Sequence, residues 1–381
     1  AATAAAAAAV LYQAQASEAL RWGGSKEQLV MSGDCGGTNT RLKLFRVREG
    51  TKAEVGKQCP GEEVFAKTYS NREHSSFEAV CKLFLEEAKP KSNGISPKTC
   101  CLACAGAIAD NTVSFPNVKS GWFVDGNVLQ RSLGIEKVEL INDFVAQGYG
   151  LLTLSDTEKI KLNDAKPKAG APIACIGAGT GLGQCYLTAD TGGEYTCWPS
   201  EGGHAEFAPR SPITSDLLNY LKAKFDSKKR VSIERVISGP GLVNIYEFLR
   251  SHWAFIDQRG PIDKAFQSAD AAHKAKVVAR GAVTGDAVCR EAIDIFSECY
   301  GSEAGVAALK WLPAGGLYVS GGIASKNQSW IQSDVFMNAY NDKGRLSPAV
   351  LNIPLYLVVG EDTGERGALF VAVRLLSSAG V

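Results

Sequence analysis

Two glycine-rich turns and a small set of acidic residues are the parts of this sequence that could do chemistry. The first turn, Gly36-Gly37-Thr38-Asn39, follows Asp34 at the end of a short apolar run. The second, Gly179-Thr180-Gly181, lies within residues 177–183, where glycine recurs at every second position. Glycine lets backbone N–H groups converge on phosphate oxygens, because no Cβ blocks the approach. Neither turn is a P-loop, which needs Gly, four residues and then Gly-Lys-Ser/Thr, and neither is a G-x-G-x-x-G dinucleotide fingerprint opening a helix. Residues 177–183 run on into a β-like segment, which favours a hairpin clamp on phosphate over NAD binding. A carboxylate beside a phosphate is repulsive unless a cation lies between them. Asp34 is therefore expected to hold hydrated Mg²⁺, which keeps several waters and takes one or two carboxylates. The alternative is an Asp that caps its own turn.

A second group of polar residues follows. Asn142-Asp143 sits where an apolar strand meets a helix, and carboxyls at strand ends line clefts in α/β sheets. Helix capping would by itself explain one of the two. Glu201-Gly202-Gly203-His204 presents a Glu and a His from a close backbone, suited to exchanging hydrogen bonds with vicinal hydroxyls. Glu234, just ahead of Gly239-Pro240-Gly241, reads by itself as a solvated helix residue. Zinc is not expected: no H-E-x-x-H spacing exists and the chain has 4 His. Cys101-x-x-Cys104 lies inside a β-like run rather than at a helix start, so it reads as structural.

These residues need elements to place them. The patterning predicts strands over 28–32, 41–47, 63–69, 99–105 and 138–141, and a helix over 75–89 with Ser75 and Glu78 as its capping box. A helix over 143–152, a Lys/Pro/Gly-rich loop over 159–172 and strands over 173–176 and 184–188 follow. Helical patterns dominate from 213 to about 312, and then come strands over 316–320 and 355–359 and a helix over 366–376. Strands alternating with helices predict an α/β fold. The strand–glycine turn–strand unit occurs twice at an offset of 142 residues, which predicts two similar halves.

Composition narrows the class. The chain has 381 residues, 41 Lys+Arg against 40 Asp+Glu, and 45% apolar residues, so a basic footprint for nucleic acid is lacking. No apolar run approaches the ~20 residues needed to span a bilayer. Eleven cysteines in a chain of this size predict reduced, buried thiols in a reducing compartment.

Taken in order, Gly33-Asp34-Cys35-Gly36-Gly37-Thr38-Asn39, Ile141-Asn142-Asp143-Phe144, residues 177–183, 201–204, 234–242 and Ser320-Gly321-Gly322 resemble the bacterial-type glucokinases. These are ATP-dependent hexose kinases of the actin-like, sugar-kinase and chaperone ATPase superfamily, and the resemblance covers about residues 29–376. It implies two actin-like, ribonuclease H-like α/β domains around a deep cleft that closes on the sugar. The expected division is an Ala-rich extension over 1–27, a small domain over 28–153 completed by a C-terminal helix at 361–381, and a large domain over 154–360. The resemblance implies Asp143 as the base on the sugar 6-hydroxyl. It implies Asn117, Asn142, Glu201, His204 and Glu234 as contacts to the other hydroxyls of glucose. It assigns Asp34, Gly36, Gly37, Thr38 and Asn39 to one phosphate motif of ATP, Gly179, Thr180 and Gly181 to a second, and Gly321 and Gly322 to the adenosine side. Mg²⁺ at Asp34, a homodimer, no nucleic-acid or membrane partner and a cytoplasmic location are expected with it, with organellar targeting by the extension as an alternative.

The sequence departs from that pattern at Ala105-Gly106-Ala107, where relatives often have Pro, and in the extension before about Gln28. The C-x-C-G-x-x-G-C zinc cluster of the related ROK kinases is absent. Three rivals stand beside the glucose kinase: a kinase for another hexose, a catalytically inactive sugar sensor, and an actin-like or chaperone ATPase without a sugar. Asp34 and Asp143 speak against the sensor, and Glu201, His204 and Glu234 against the sugar-free ATPase.

Overall fold

Strands buried at every position are covered on both faces, and four such strands organise this chain. The computed structural model describes residues 26–378 except 116, 117, 119, 120, 228 and 259. The Ala-rich stretch and Asn117 therefore lie outside the described residues. The chain forms two compact units, one with the described residues up to Thr153 and from Gly364 onward, the other with Leu154–Thr363.

The first unit is built on β1 (Glu27–Cys35), β2 (Asn39–Arg48), β3 (Glu62–Ser70), β4 (Thr99–Cys104) and a small hairpin of β5 (Thr112–Phe115) and β6 (Trp122–Asp125), with β7 (Lys137–Asn142) closing the main sheet. That sheet runs β3-β2-β1-β4-β7, antiparallel across β3-β2-β1 and parallel across β1-β4-β7. β4 is buried at all six positions, whereas β2 alternates as a strand with one covered face does. Helix α1 (Phe77–Ala88) lays Phe77, Val80, Cys81 and Phe84 into the core. Its cap is Ser76, whose side chain accepts the Ala79 N–H, not the expected Ser75. The box pattern misleads by one residue because both serines precede the apolar face. Helix α2 (Asp143–Leu151) leaves the end of β7, and the C-terminal helix Thr363–Ser378 crosses it closely. A Cβ at Gly367 would overlap the Ala146 carbonyl, so that crossing requires glycine.

The second unit repeats the plan. β8 (Lys159–Lys161), β9 (Ile173–Ala178), β10 (Leu182–Ala189), β11 (Tyr195–Ser200), β12 (Gly316–Ser320) and β13 (Leu355–Val358) form a sheet ordered β11-β10-β9-β12-β13-β8. Again three strands are antiparallel and the central ones parallel. β9, β12 and β13 are buried throughout. The twofold strand–turn–strand pattern is thus a repeat of topology, with β1–β2 matching β9–β10. The stretch expected as a loop over 159–172 is not all loop, since β8 pairs antiparallel with β13. A three-residue edge strand is too short to leave a periodicity. Helices α3 (Gly239–Leu249) and α4 (Ala287–Trp311) cover the sheet and close its apolar core. All eleven cysteines are free and ten are buried, Cys101 and Cys104 among them. No helix among the described residues is long and apolar enough to cross a membrane.

Candidate active site

In the first unit the candidate residues gather at the carboxyl ends of the parallel strands. Asp34, the penultimate residue of β1, pairs with Ala103 of β4, and Asn142 ends β7 beside Cys104. Two strand spacings of ~4.8 Å separate β1 from β7. Gly36 N–H donates to Asn39 O at 3.0 Å, so the 36–39 turn closes the β1–β2 hairpin. Hairpin register then pairs Asp34 with Arg41, whose Nη1 lies 2.6 Å from Asp34 Oδ2. The two side chains are 33% and 50% exposed, so the pair adds little stability and mainly orients the carboxylate. Arg41 was legible: once 36 pairs with 39, 34 must pair with 41.

Asn142 is the N-cap of α2. Its Oδ1 accepts the Phe144 and Val145 N–H groups, and its Nδ2 donates to Gly106 O and to Asp143 Oδ1. All four of its hydrogen-bonding positions are thereby used, and its direct action is on Asp143. A sugar hydroxyl could reach this amide only by exchanging one of those bonds. Asp143 opens α2, where the helix dipole favours an anion. Its carboxyl nonetheless titrates above the ordinary range. Loss of hydration is the largest cause and the Asp34 charge adds to it, while the Phe144 and Asp143 N–H groups and the Asn142 amide act the other way. The residue is still exposed, so solvent reaches part of the carboxyl and the desolvation is incomplete.

In the second unit two glycine turns lie side by side. Gly179 N–H donates to Gly181 O, and Gly239 N–H at the start of α3 donates to Gly179 O, each at 2.8 Å. The turn is tighter than residues 177–183, since strand pairing runs up to Ala178 and resumes at Leu182. Gly321 follows β12 with φ +88°, and a Cβ there would lie 2.7 Å from Ala178 O. Glycine is needed on both counts. Tyr300 of α4, fully buried, ties the two strand ends together. Its hydroxyl accepts the Ala178 N–H at 3.1 Å and lies 3.3 Å from Ser320 O. Nothing local in the sequence marks this tyrosine. Tyr300→Phe would remove the buried hydroxyl that accepts the Ala178 N–H and bridges to Ser320 O. The expected loss is ~0.5–1.5 kcal/mol, and an unchanged thermal midpoint would dispose of this account of Tyr300.

The hydroxyl-binding candidates sit on the same hairpin. Glu201 precedes the one-turn helix Gly202–His204, and that turn packs on the start of β10. A Cβ at Gly202 would overlap the Gln184 amide, and one at Gly203 the Leu182 carbonyl. Glu234 lies in the one-turn helix Ile233–Arg235, and its Oε2 accepts the Leu182 N–H at 3.0 Å. It is not a solvated helix residue: a Cβ at Gly181 would stand 2.7 Å from that oxygen. His204 Nε2 is 3.9 Å from Glu201 Oε2, both side chains exposed, and Arg230 donates to the His204 carbonyl. Glu201, His204 and Glu234 are thus brought together around Leu182. They offer carboxylate acceptors and an imidazole to a ligand rich in hydroxyls.

A family model described as Glucokinase matches residues 31–375. A glucokinase from Nostoc sp. is 37% identical over 355 residues, covering 91% of this chain and 99% of the relative. One from Synechocystis sp. is 38% identical, covering 90% and 98%. Among solved structures, the glucokinase of an Antarctic psychrotroph superposes with TM-score 0.73 at 26% identity, over 91% of this chain and 99% of that one.

Proposed function

The chain belongs to the glucokinase family, and from that premise we propose that it transfers the γ-phosphoryl group of ATP to the 6-hydroxyl of D-glucose, with Asp143 as general base. The observation that carries the assignment of the base is the placement of Asp143. It is a partly desolvated carboxylate at a helix N-terminus, held by Asn142 and facing the charge of Asp34. As O6 bonds to the γ-phosphorus, the bond from phosphorus to the β–γ bridging oxygen breaks and ADP departs. The 6-hydroxyl proton passes to an Asp143 oxygen. Phosphoryl transfer asks mostly for positioning and charge neutralisation, and a raised carboxylate pKa suits the base to that proton.

The turns at 36–39 and 179–181 would receive phosphate oxygens on backbone N–H groups, and Gly321 and Gly322 would lie along the adenosine. Mg²⁺ fits at Asp34. No group of three or more candidate ligands exists among the described residues, and Mg²⁺ bound through one carboxylate and substrate phosphates needs none. When bound, the ion neutralises charge on the phosphates. Glu201, His204, Glu234, Asn142 and Asn117 complete the proposal as hydroxyl contacts. A site built from paired polar groups rejects sugars that leave one unmatched. The proposal includes the homodimer, which sedimentation of the full chain reads directly.

The test is Mg·ATP-dependent ADP release with glucose, mannose, fructose, galactose and N-acetylglucosamine. Turnover dominated by glucose is expected. Dominance by another sugar would make the chain a kinase for that hexose. Sugar binding without turnover would leave a sensor on the same fold.

A further inference from the structure

A glycine pair at a hairpin tip has more conformational freedom than a binding turn can tolerate. The 36–39 turn is not held by its own geometry. Two-residue hairpin loops favour turns with φ > 0 at the first central residue, yet neither Gly37 nor Thr38 has a positive φ. Something outside the hairpin must select the shape.

We propose that Asn71 does so, as a positioning residue for the phosphoryl donor. It follows β3, 31 residues beyond Thr40, and is 2% exposed. Its backbone N–H donates to Thr38 O at 2.9 Å, and its Nδ2 donates to Gly36 O at 2.8 Å. Its Oδ1 accepts the hydroxyl of fully buried Thr40 at 2.9 Å. One residue thus grips the turn at 36, 38 and 40. The peptides are trans, and a trans peptide points its N–H opposite to its C=O. Drawing the Gly36 and Thr38 carbonyls toward Asn71 therefore aims the Gly37 and Asn39 N–H groups away from it. Among the described residues the Gly37 N–H has no partner, which leaves it free for a phosphate oxygen. The inference rests on the reading of this turn as a phosphate contact.

The experiment compares Asn71→Asp and the milder Asn71→Ser with Thr40→Val and the parent. It reads kcat and KM for Mg·ATP at saturating glucose, calorimetric glucose affinity without nucleotide, and thermal midpoint. Asn71→Asp keeps an acceptor for Thr40 but turns a carboxylate oxygen on the Gly36 carbonyl. Its kcat/KM for Mg·ATP should fall on the order of 10–100-fold, the size of effect a ~1 Å misplacement produces. Glucose affinity should stay within about twofold, which marks a loss specific to the nucleotide side. Thr40→Val spares the bond to Gly36 and should lose less than Asn71→Asp. Folded Asn71 variants with unchanged kcat/KM for Mg·ATP would overturn the proposal. So would a fall in glucose affinity equal to the fall for nucleotide. Asn71→Ser keeps the test alive should the aspartate variant not fold. Gly37→Pro, which deletes the Gly37 N–H at a position without positive φ, separates the two readings: retained Mg·ATP affinity there would remove the turn's phosphate role itself, whereas retained affinity in the Asn71 variants alone removes only Asn71.

Discussion

Replacing Asp143 with Asn is expected to lower turnover by on the order of 10²–10⁴-fold, the usual contribution of a positioned general base, without weakening the fold. Asn keeps an oxygen for the Phe144 N–H and the Asn142 amide that now bond Asp143 Oδ1. What it removes is a charge the folded site holds at a cost. The carboxyl's pKa is raised in the folded state, chiefly by lost hydration and then by Asp34. Such a group contributes its stabilisation in full below its unfolded pKa, and loses it as pH rises through the folded one. At neutral pH the aspartate therefore costs stability, and the Asn variant should melt at the same temperature or slightly higher. The gain is small, because solvent reaches part of the carboxyl. The parent's activity should fall on acidification along a limb lying above ~3.9, the ordinary Asp value. Steady-state turnover and thermal unfolding on the same protein check both arms. Near-normal turnover would take Asp143 out of the base role, and a large drop in melting temperature would show that the loss was structural.

A single methyl at Gly203 is expected to do comparable damage on the sugar side. The Cβ of Gly203→Ala would overlap the Leu182 carbonyl, and backbone cannot yield as a flexible side chain can. Leu182 also donates its N–H to Glu234, and Gly203 lies between Glu201 and His204. One displacement therefore moves three proposed hydroxyl contacts together. A shift of ~1 Å can cost on the order of 10²-fold, so the KM for glucose should rise by about that factor. The KM for Mg·ATP should move much less. Calorimetric glucose affinity close to the parent's would refute this account of the cluster.

Much of this was legible along the chain. Asp34, the glycine turns and Asp143 declare themselves because their chemistry depends on near neighbours: a carboxylate at a strand end, a turn without Cβ atoms, a cap before a helix. Arg41 follows from hairpin register alone. The repeat at 142 residues became two sheets of one plan because each half carries its own continuous apolar strands. Where reading by pattern slipped, the physical reason is local ambiguity. Two adjacent serines competed for one cap, and β8 was too short to show an alternation.

Residue type and spacing determined the fold class, the family resemblance and the residues that touch substrate in the proposed reaction, because those properties are written in short stretches of chain. Only the tertiary structure decided what holds them. Asn71 grips the first turn from beyond β3, Tyr300 joins two strand ends from α4, and Glu234 is a partner of Leu182 rather than a solvated residue. Each of these bonds spans more than 30 residues of chain or links separate elements. A hydrogen bond of that kind forms only once packing has closed the intervening loop, so no local pattern can announce it.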